Sequence, residues 1–142
     1  MSERVLLIDD EQDFLDIMSE RMKNRDIDVT TAVSARDALG LVEHESYDAI
    51  ILDLQMPDMD GLQALERLKK INPDLQVILL TGHATVEKGV QAMKLGADDV
   101  MEKPADIGVL TEKIKKAHAK KIILVEKRAE ETIRAILGAK AW

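Results

Sequence analysis

The chain has 142 residues, 46% of them apolar and 33% charged, with a net charge of −7. That length suits one domain with a sizeable core and leaves little for a second. No cysteine is present and the only aromatics are Phe14, Tyr47 and Trp142, which excludes disulfides, thiolate metal sites and thiol nucleophiles and counts against stacking on single-stranded nucleic acid.

The start of the chain lacks the basic region and long apolar segment of a signal peptide, and no apolar run approaches the ~20 residues of a membrane span. A cytoplasmic protein, with no membrane contact, is expected. Short apolar runs then alternate with segments of helical period. The strand-like runs are Val5–Ile8, Val29–Val33, Ala49–Leu52, Val77–Leu80 and a weaker Asp99–Met101. Between them, apolar residues three or four apart predict helices over Phe14–Asn24, Ala35–Glu45, Leu62–Ile71 and Val86–Leu95. Phe14, Leu15, Met18 and Met22 form the inner stripe of the first, and Ala38, Leu39 and Val42 that of the second, after a Ser34 cap. Met18, Met22 and Met93 read as core filler rather than ligands.

The punctuation agrees with this division. Met56-Pro57-Asp58-Met59-Asp60-Gly61 is a turn-rich loop before the third helix, Pro73 ends that helix at Asn72, and Gly96 stands where a left-handed cap would follow the fourth. Five strand–helix alternations imply an α/β fold, with a parallel sheet covered on both faces by helical crossovers. Ala49–Leu52 and Val77–Leu80 are apolar enough to be central strands. After Pro104, Asp106 is placed to cap a helix through Leu110 and Ile114. From Ala119 to Leu137 no Pro or Gly interrupts, so helix continues or restarts after Lys120-Lys121.

Charge is divided unevenly. Residues 107–142 hold nine Lys/Arg against four Glu, leaving −12 on the preceding 106 residues. An acidic body argues against direct nucleic-acid binding.

Ligands of open parallel sheets bind at the carboxyl ends of the strands. Asp9 and Asp10 follow the first strand, and Asp53, Thr81 and Lys103 close the third, fourth and fifth. Three carboxylates in one pocket repel by on the order of 4 kcal/mol per pair at ~4 Å and an effective dielectric of ~20. A hard divalent ion with oxygen ligands relieves this, and Mg²⁺ suits a site of few carboxylates. Phosphoryl transfer needs an acceptor, a metal and donors to the phosphoryl oxygens. Asp53 fits the acceptor as a carboxylate that forms an acyl phosphate. Lys103 fits the positive charge and Thr81 the hydroxyl donor. Any one of these signals is weak; together, in order and each at a strand end, they are specific.

Residues 4–118 resemble the receiver domain of response regulators, on Val5-Leu6-Leu7-Ile8-Asp9-Asp10-Glu11, Leu52-Asp53-Leu54-Gln55-Met56-Pro57-Asp58-Met59-Asp60-Gly61, Leu80-Thr81-Gly82, Gly96-Ala97-Asp98-Asp99 and Glu102-Lys103-Pro104. The resemblance implies a flavodoxin-like, doubly wound five-stranded sheet of order 2-1-3-4-5, with residues 1–120 as receiver and 121–142 as a C-terminal helical extension. It implies phosphorylation of Asp53 by a sensor histidine kinase or a phosphotransfer protein in a two-component phosphorelay, and signalling to a downstream protein target. It implies that Asp10 and Asp53 ligate Mg²⁺ directly, Asp9 largely through water, and Gln55 through its backbone carbonyl. A cis Lys103-Pro104 bond is implied as well. Two positions depart from the pattern. Val100 stands where the family usually has Tyr or Phe, which removes the common aromatic switch, and Ala105 replaces the frequent aromatic after Lys-Pro.

Gln55 and His83, two residues after Asp53 and Thr81, are placed to tune the lifetime of the acyl phosphate. His44 and His118 read as solvated surface. A metal-dependent phosphatase is disfavoured, because Gln55 stands where such hydrolases place a general acid. A phosphorylation-independent interaction module is the alternative function, and Val100 keeps it open. The Ile-rich tail reads first as a helix folded on the domain, and second as a partner surface or a homodimer contact.

Overall fold

The computed structural model describes residues 2–82 and 86–140. Its elements run β1 (Arg4–Ile8), α1 (Gln12–Lys23), β2 (Asp28–Ala32), α2 (Ala35–His44), β3 (Ala49–Leu52), α3 (Gly61–Ile71), β4 (Val77–Thr81), α4 (Val86–Lys94), β5 (Asp99–Glu102) and α5 (Ile107–Lys140). Every predicted element is present, with ends displaced by a residue or two. The five strands form one parallel sheet of order β2-β1-β3-β4-β5. Chain order reverses direction between β1 and β3, and a crevice opens at such a point.

Alternation along the strands divides the core into two layers. Leu6, Ile8, Ile50, Leu52, Val77 and Leu79 face one side, where Ala38 and Val42 of α2, Ala64, Leu65 and Leu68 of α3, and Ala92 of α4 cover them. Val5, Leu7, Ala49, Ile51, Ile78 and Leu80 face the other, under Leu15, Met18 and Met22 of α1 and Leu110, Ile114 and Ala117 of α5. β3 and β4 are buried throughout, as their unbroken apolar sequence requires. The edge strands β2 and β5 are largely half-exposed.

Local chemistry sets the ends. The Ser34 hydroxyl accepts from the Asp37 N–H at 3.1 Å and caps α2. Asp60 accepts from Leu62 N–H at 3.0 Å and caps α3, and Asp106 accepts from Val109 N–H at 3.0 Å near the start of α5. Asn72 is extended, as a residue before proline prefers. Gly96 has φ 101°, the left-handed conformation that glycine adopts without strain.

Two expectations fail here. Met93 is 52% exposed rather than core, because Ala92 takes the buried position of α4 and the next residue points about 100° away. The tail rests on the domain only as far as Arg128, not along its length. α5 is one helix of 34 residues, roughly 50 Å long, and it passes unbroken through Lys120-Lys121. Lys120 reaches Asp98 at 2.8 Å, Lys121 the Tyr47 carbonyl at 3.0 Å, and Arg128 the Asp74 carboxylate at 2.5 Å. Beyond Arg128 every residue through Gly138 is exposed. With no breaker to turn the chain, helical continuation carries the tail off the domain.

Candidate functional site

The ladder between β1 and β3 pairs Ile8 with Leu52, so Asp9 and Asp53 leave adjacent strands side by side. The Asp53 N–H donates to the Ile8 carbonyl at 3.1 Å and extends this pairing by one residue. Between β4 and β5, Thr81 is in register with Glu102, and the Lys103 N–H donates to the Thr81 carbonyl at 2.8 Å. Parallel register thus brings Asp9, Asp10, Asp53, Thr81 and Lys103 to one edge of the sheet.

Asp9 and Asp53 are 1% and 5% exposed, and Thr81 is wholly buried, while Asp10 is exposed. One carboxylate oxygen from each of the three aspartates lies within 4.8 Å of the others. This all-oxygen donor set, with two members buried and one open to solvent, fits a hard divalent cation such as Mg²⁺. Lys103 Nζ donates to Asp9 Oδ2 at 2.5 Å and stands 3.7 Å from Asp53 Oδ2. The other Asp9 oxygen accepts the Glu11 N–H at 2.9 Å. Asp53 Oδ1 accepts the Gln55 N–H at 3.1 Å, and the Gln55 side chain itself is exposed.

Burial pushes the Asp53 carboxyl above its ordinary value, and the charges of Asp9 and Asp10 add to this; the Gln55 N–H and Lys103 oppose it. Burial alone would lower the Lys103 ammonium, but its hydrogen bond to Asp9 and the charges of Asp53, Asp9 and Glu11 outweigh it and raise the group. The site therefore holds a firmly charged lysine beside a carboxylate that is ionised at a cost.

The loop after Asp53 is held closely. The Gly61 N–H donates to the Leu54 carbonyl at 3.1 Å. A Cβ at Gly61 would lie 2.4 Å from Leu54 Cα, so only glycine fits. Asp58 accepts the Ala35 and Arg36 N–H groups at 3.3 and 3.1 Å, tying this loop to the start of α2. The Lys103-Pro104 bond is cis, as expected.

One neighbour escaped the sequence reading as part of the site. The Phe14 ring, on α1, has its centroid 4.2 Å from Lys103 Nζ. The available signal was an aromatic four residues after Asp10, but its helical spacing assigned it to the core stripe. His83 lies outside the described residues. His44 is exposed as expected. His118 is not merely solvated surface: its Nδ1 lies 2.7 Å from Asp48 Oδ1, because α5 packs across the residue that precedes β3. Val100 is half-buried and borders a groove of about 600 Å³ with Val86, Gly89, Val90 and Met93.

Comparison with known proteins agrees with this geometry. The profile of the response regulator receiver domain matches residues 5–115. A putative NtrX-like response regulator of Rickettsia bellii is 38% identical over 115 residues, covering 80% of this chain and 24% of that protein. The transcriptional regulatory protein ZraR of Salmonella typhimurium is 33% identical over 115 residues, covering 81% and 26%. The chain thus spans about a quarter of the length of these curated relatives. Among solved structures, a response regulator receiver domain protein from Clostridium thermocellum superposes with a TM-score of 0.81 at 34% identity, covering 86% of this chain and 98% of that one. A CheY-like receiver domain protein from Methanospirillum hungatei gives 0.81 at 30% identity, covering 85% and 97%. The chain belongs to the response regulator receiver domain family.

Proposed function

We propose that Asp53 is the phosphoryl acceptor of a two-component switch, charged by a phosphohistidine on a sensor histidine kinase or a phosphotransfer protein. The observation that carries this reading is the convergence of Asp9, Asp10 and Asp53 within 4.8 Å, with Lys103 reaching both buried carboxylates. One Asp53 carboxylate oxygen attacks phosphorus, a new P–O bond forms, and the P–N bond to the donor imidazole breaks with its electron pair returning to the ring nitrogen. Lys103 neutralises a phosphoryl oxygen once it is released from Asp9, and the Thr81 hydroxyl donates to another. Asp10, Asp53 and the Gln55 carbonyl would hold Mg²⁺, with Asp9 acting through water. Bound there, the ion shields the anionic donor from the surrounding carboxylates.

The family serves as a signalling module, so the product is a changed surface rather than a released compound. A phosphoryl group adds charge and shifts a two-state equilibrium by its differential stabilisation of the two states. Val100 lacks the ring of the usual switch, so the groove it borders reports to a downstream protein target in another way; it is also the feature that favours the phosphorylation-independent reading. No helix among the described residues is long and apolar enough to cross a membrane. Residues 1–120 act as the receiver and 121–142 as the extension. Exposed Ile122, Val125, Ala129, Ile133 and Ile136 follow one another at spacings of 3, 4, 4 and 3 residues, the average of a coiled-coil seam and the basis for a homodimer through this helix. Sedimentation tests this directly, since a chain ending at Arg128 should lose any dimer that the full chain forms.

Incubation with Mg²⁺ and acetyl phosphate tests the central reading. The wild type should gain the mass of one phosphoryl group and the Asp53→Asn variant none. Uptake by neither overturns it in favour of the interaction module.

A further inference from the structure

Lys103 has a partner that the acceptor chemistry does not require. Its ammonium, on a side chain only 16% exposed, bonds Asp9 at 2.5 Å, stands 3.7 Å from Asp53, and sits against the Phe14 ring with the centroid 4.2 Å away. Phe14 belongs to α1, in the second position after Gln12 opens that helix, and it is half-buried against the layer formed by Leu15, Met18 and Leu110. The ring is therefore fixed by packing on one side and presents π density to a cation on the other.

We propose that Phe14 is a positioning residue that keeps the Lys103 ammonium within the site while it changes partners. This rests on Asp53 being the acceptor. In the resting arrangement Asp9 holds the lysine, and that bond must break for the ammonium to meet a phosphoryl oxygen. Between the two partners the cation has lost its strongest contact in a place where water reaches it poorly. An aromatic face attracts a cation over a broad range of positions. It supports the ammonium in both arrangements without competing for the directed hydrogen bond that either needs. A carboxylate in its place would tie the lysine down, and an aliphatic side chain would leave it unsupported during the exchange.

A purely structural role for Phe14 would follow its shape, and the proposed role follows its π charge distribution. Fluorination separates the two, since it weakens the negative face while nearly preserving size. Phe14 is the only phenylalanine of the chain, so replacing phenylalanine globally by its mono-, di- and trifluorinated analogues alters this one position. The rate of phosphoryl gain from acetyl phosphate with Mg²⁺ should fall stepwise along the series, by roughly fivefold at the trifluorinated ring, while the melting temperature falls by no more than a few degrees for the same contact weakened in the resting fold. Phe14→Trp should retain the wild-type rate and Phe14→Leu should lose about as much as the trifluorinated ring. A rate that stays flat along the series, or a Leu variant as fast as wild type, overturns the positioning role and leaves the acceptor assignment intact. Absence of uptake by the unfluorinated chain overturns both.

Discussion

Removing the negative charge of Asp53 should stabilise the fold, although the residue is central to the proposed chemistry. With 4.8 Å taken as the outer separation of the three ligand oxygens and an effective dielectric of ~20, the Asp9 and Asp10 carboxylates each oppose the Asp53 charge by about 3.5 kcal/mol, while Lys103 at 3.7 Å returns about 4.5 kcal/mol. The balance is unfavourable by about 2 to 3 kcal/mol, and burial adds to it while solvent around Asp10 takes part of it away. Asp53→Asn keeps the shape and should therefore gain about 1–3 kcal/mol at neutral pH in the absence of divalent ions. At this chain length that corresponds to a rise of roughly 3–10 °C in Tm. The pH dependence follows from the raised Asp53 carboxyl. In the interval between the unfolded and folded values the native state binds more protons, so wild-type stability falls as pH rises through it. The advantage of the variant should be complete above that interval and vanish below the ordinary aspartate value of about 3.9. Mg²⁺ should raise the wild-type midpoint more than that of the variant. Urea unfolding of both proteins across pH, in EDTA and in Mg²⁺, measures all of this. A variant less stable than wild type at neutral pH without metal would refute the charge balance.

Gly61→Ala places a methyl carbon 2.4 Å from Leu54 Cα, so the loop beside Asp53 must shift. A loss of about 1–3 kcal/mol is expected, together with slower phosphoryl uptake, read by urea midpoint and by intact mass. The two halves of α5 should respond differently to the same deletion. Leu110 is fully buried and Leu137 is 62% exposed. Leu110→Ala should cost about 2–5 kcal/mol, and Leu137→Ala less than about 0.5 kcal/mol in the monomer; thermal melts at low protein concentration compare them.

Periodicity carried the architecture because each layer of the core is written locally. The unbroken apolar run Val5–Ile8 and the stripe Leu15, Met18 and Met22 are legible in any short window, and Val5 and Leu7 of that run meet the stripe where α1 packs on β1. Strand-end placement was legible for the same reason: once Ile8 and Leu52 end their strands, Asp9 and Asp53 have little choice of position. Contacts between distant side chains were not. His118 meeting Asp48 and Phe14 meeting Lys103 depend on how α5 and α1 lie across the sheet, which no local pattern encodes. Asp58 was legible as a turn former, but its use by the N–H groups of Ala35 and Arg36 was not. The direction of the tail was misjudged because its apolar residues suggested burial, whereas unbroken helix propensity decided the path. Met93 failed for a related reason, since small Ala92 makes the close contact and leaves its larger neighbour outside.

Phosphoryl signalling at this site depends on a mixed anhydride forming at one carboxylate among several in the same cluster. Protein treated with acetyl phosphate and Mg²⁺, then reduced with borohydride, would carry homoserine wherever an aspartyl phosphate had stood. Peptide sequencing by mass spectrometry should find that conversion at residue 53 alone. Conversion at Asp9 or Asp10, or at no aspartate, would contradict the assignment.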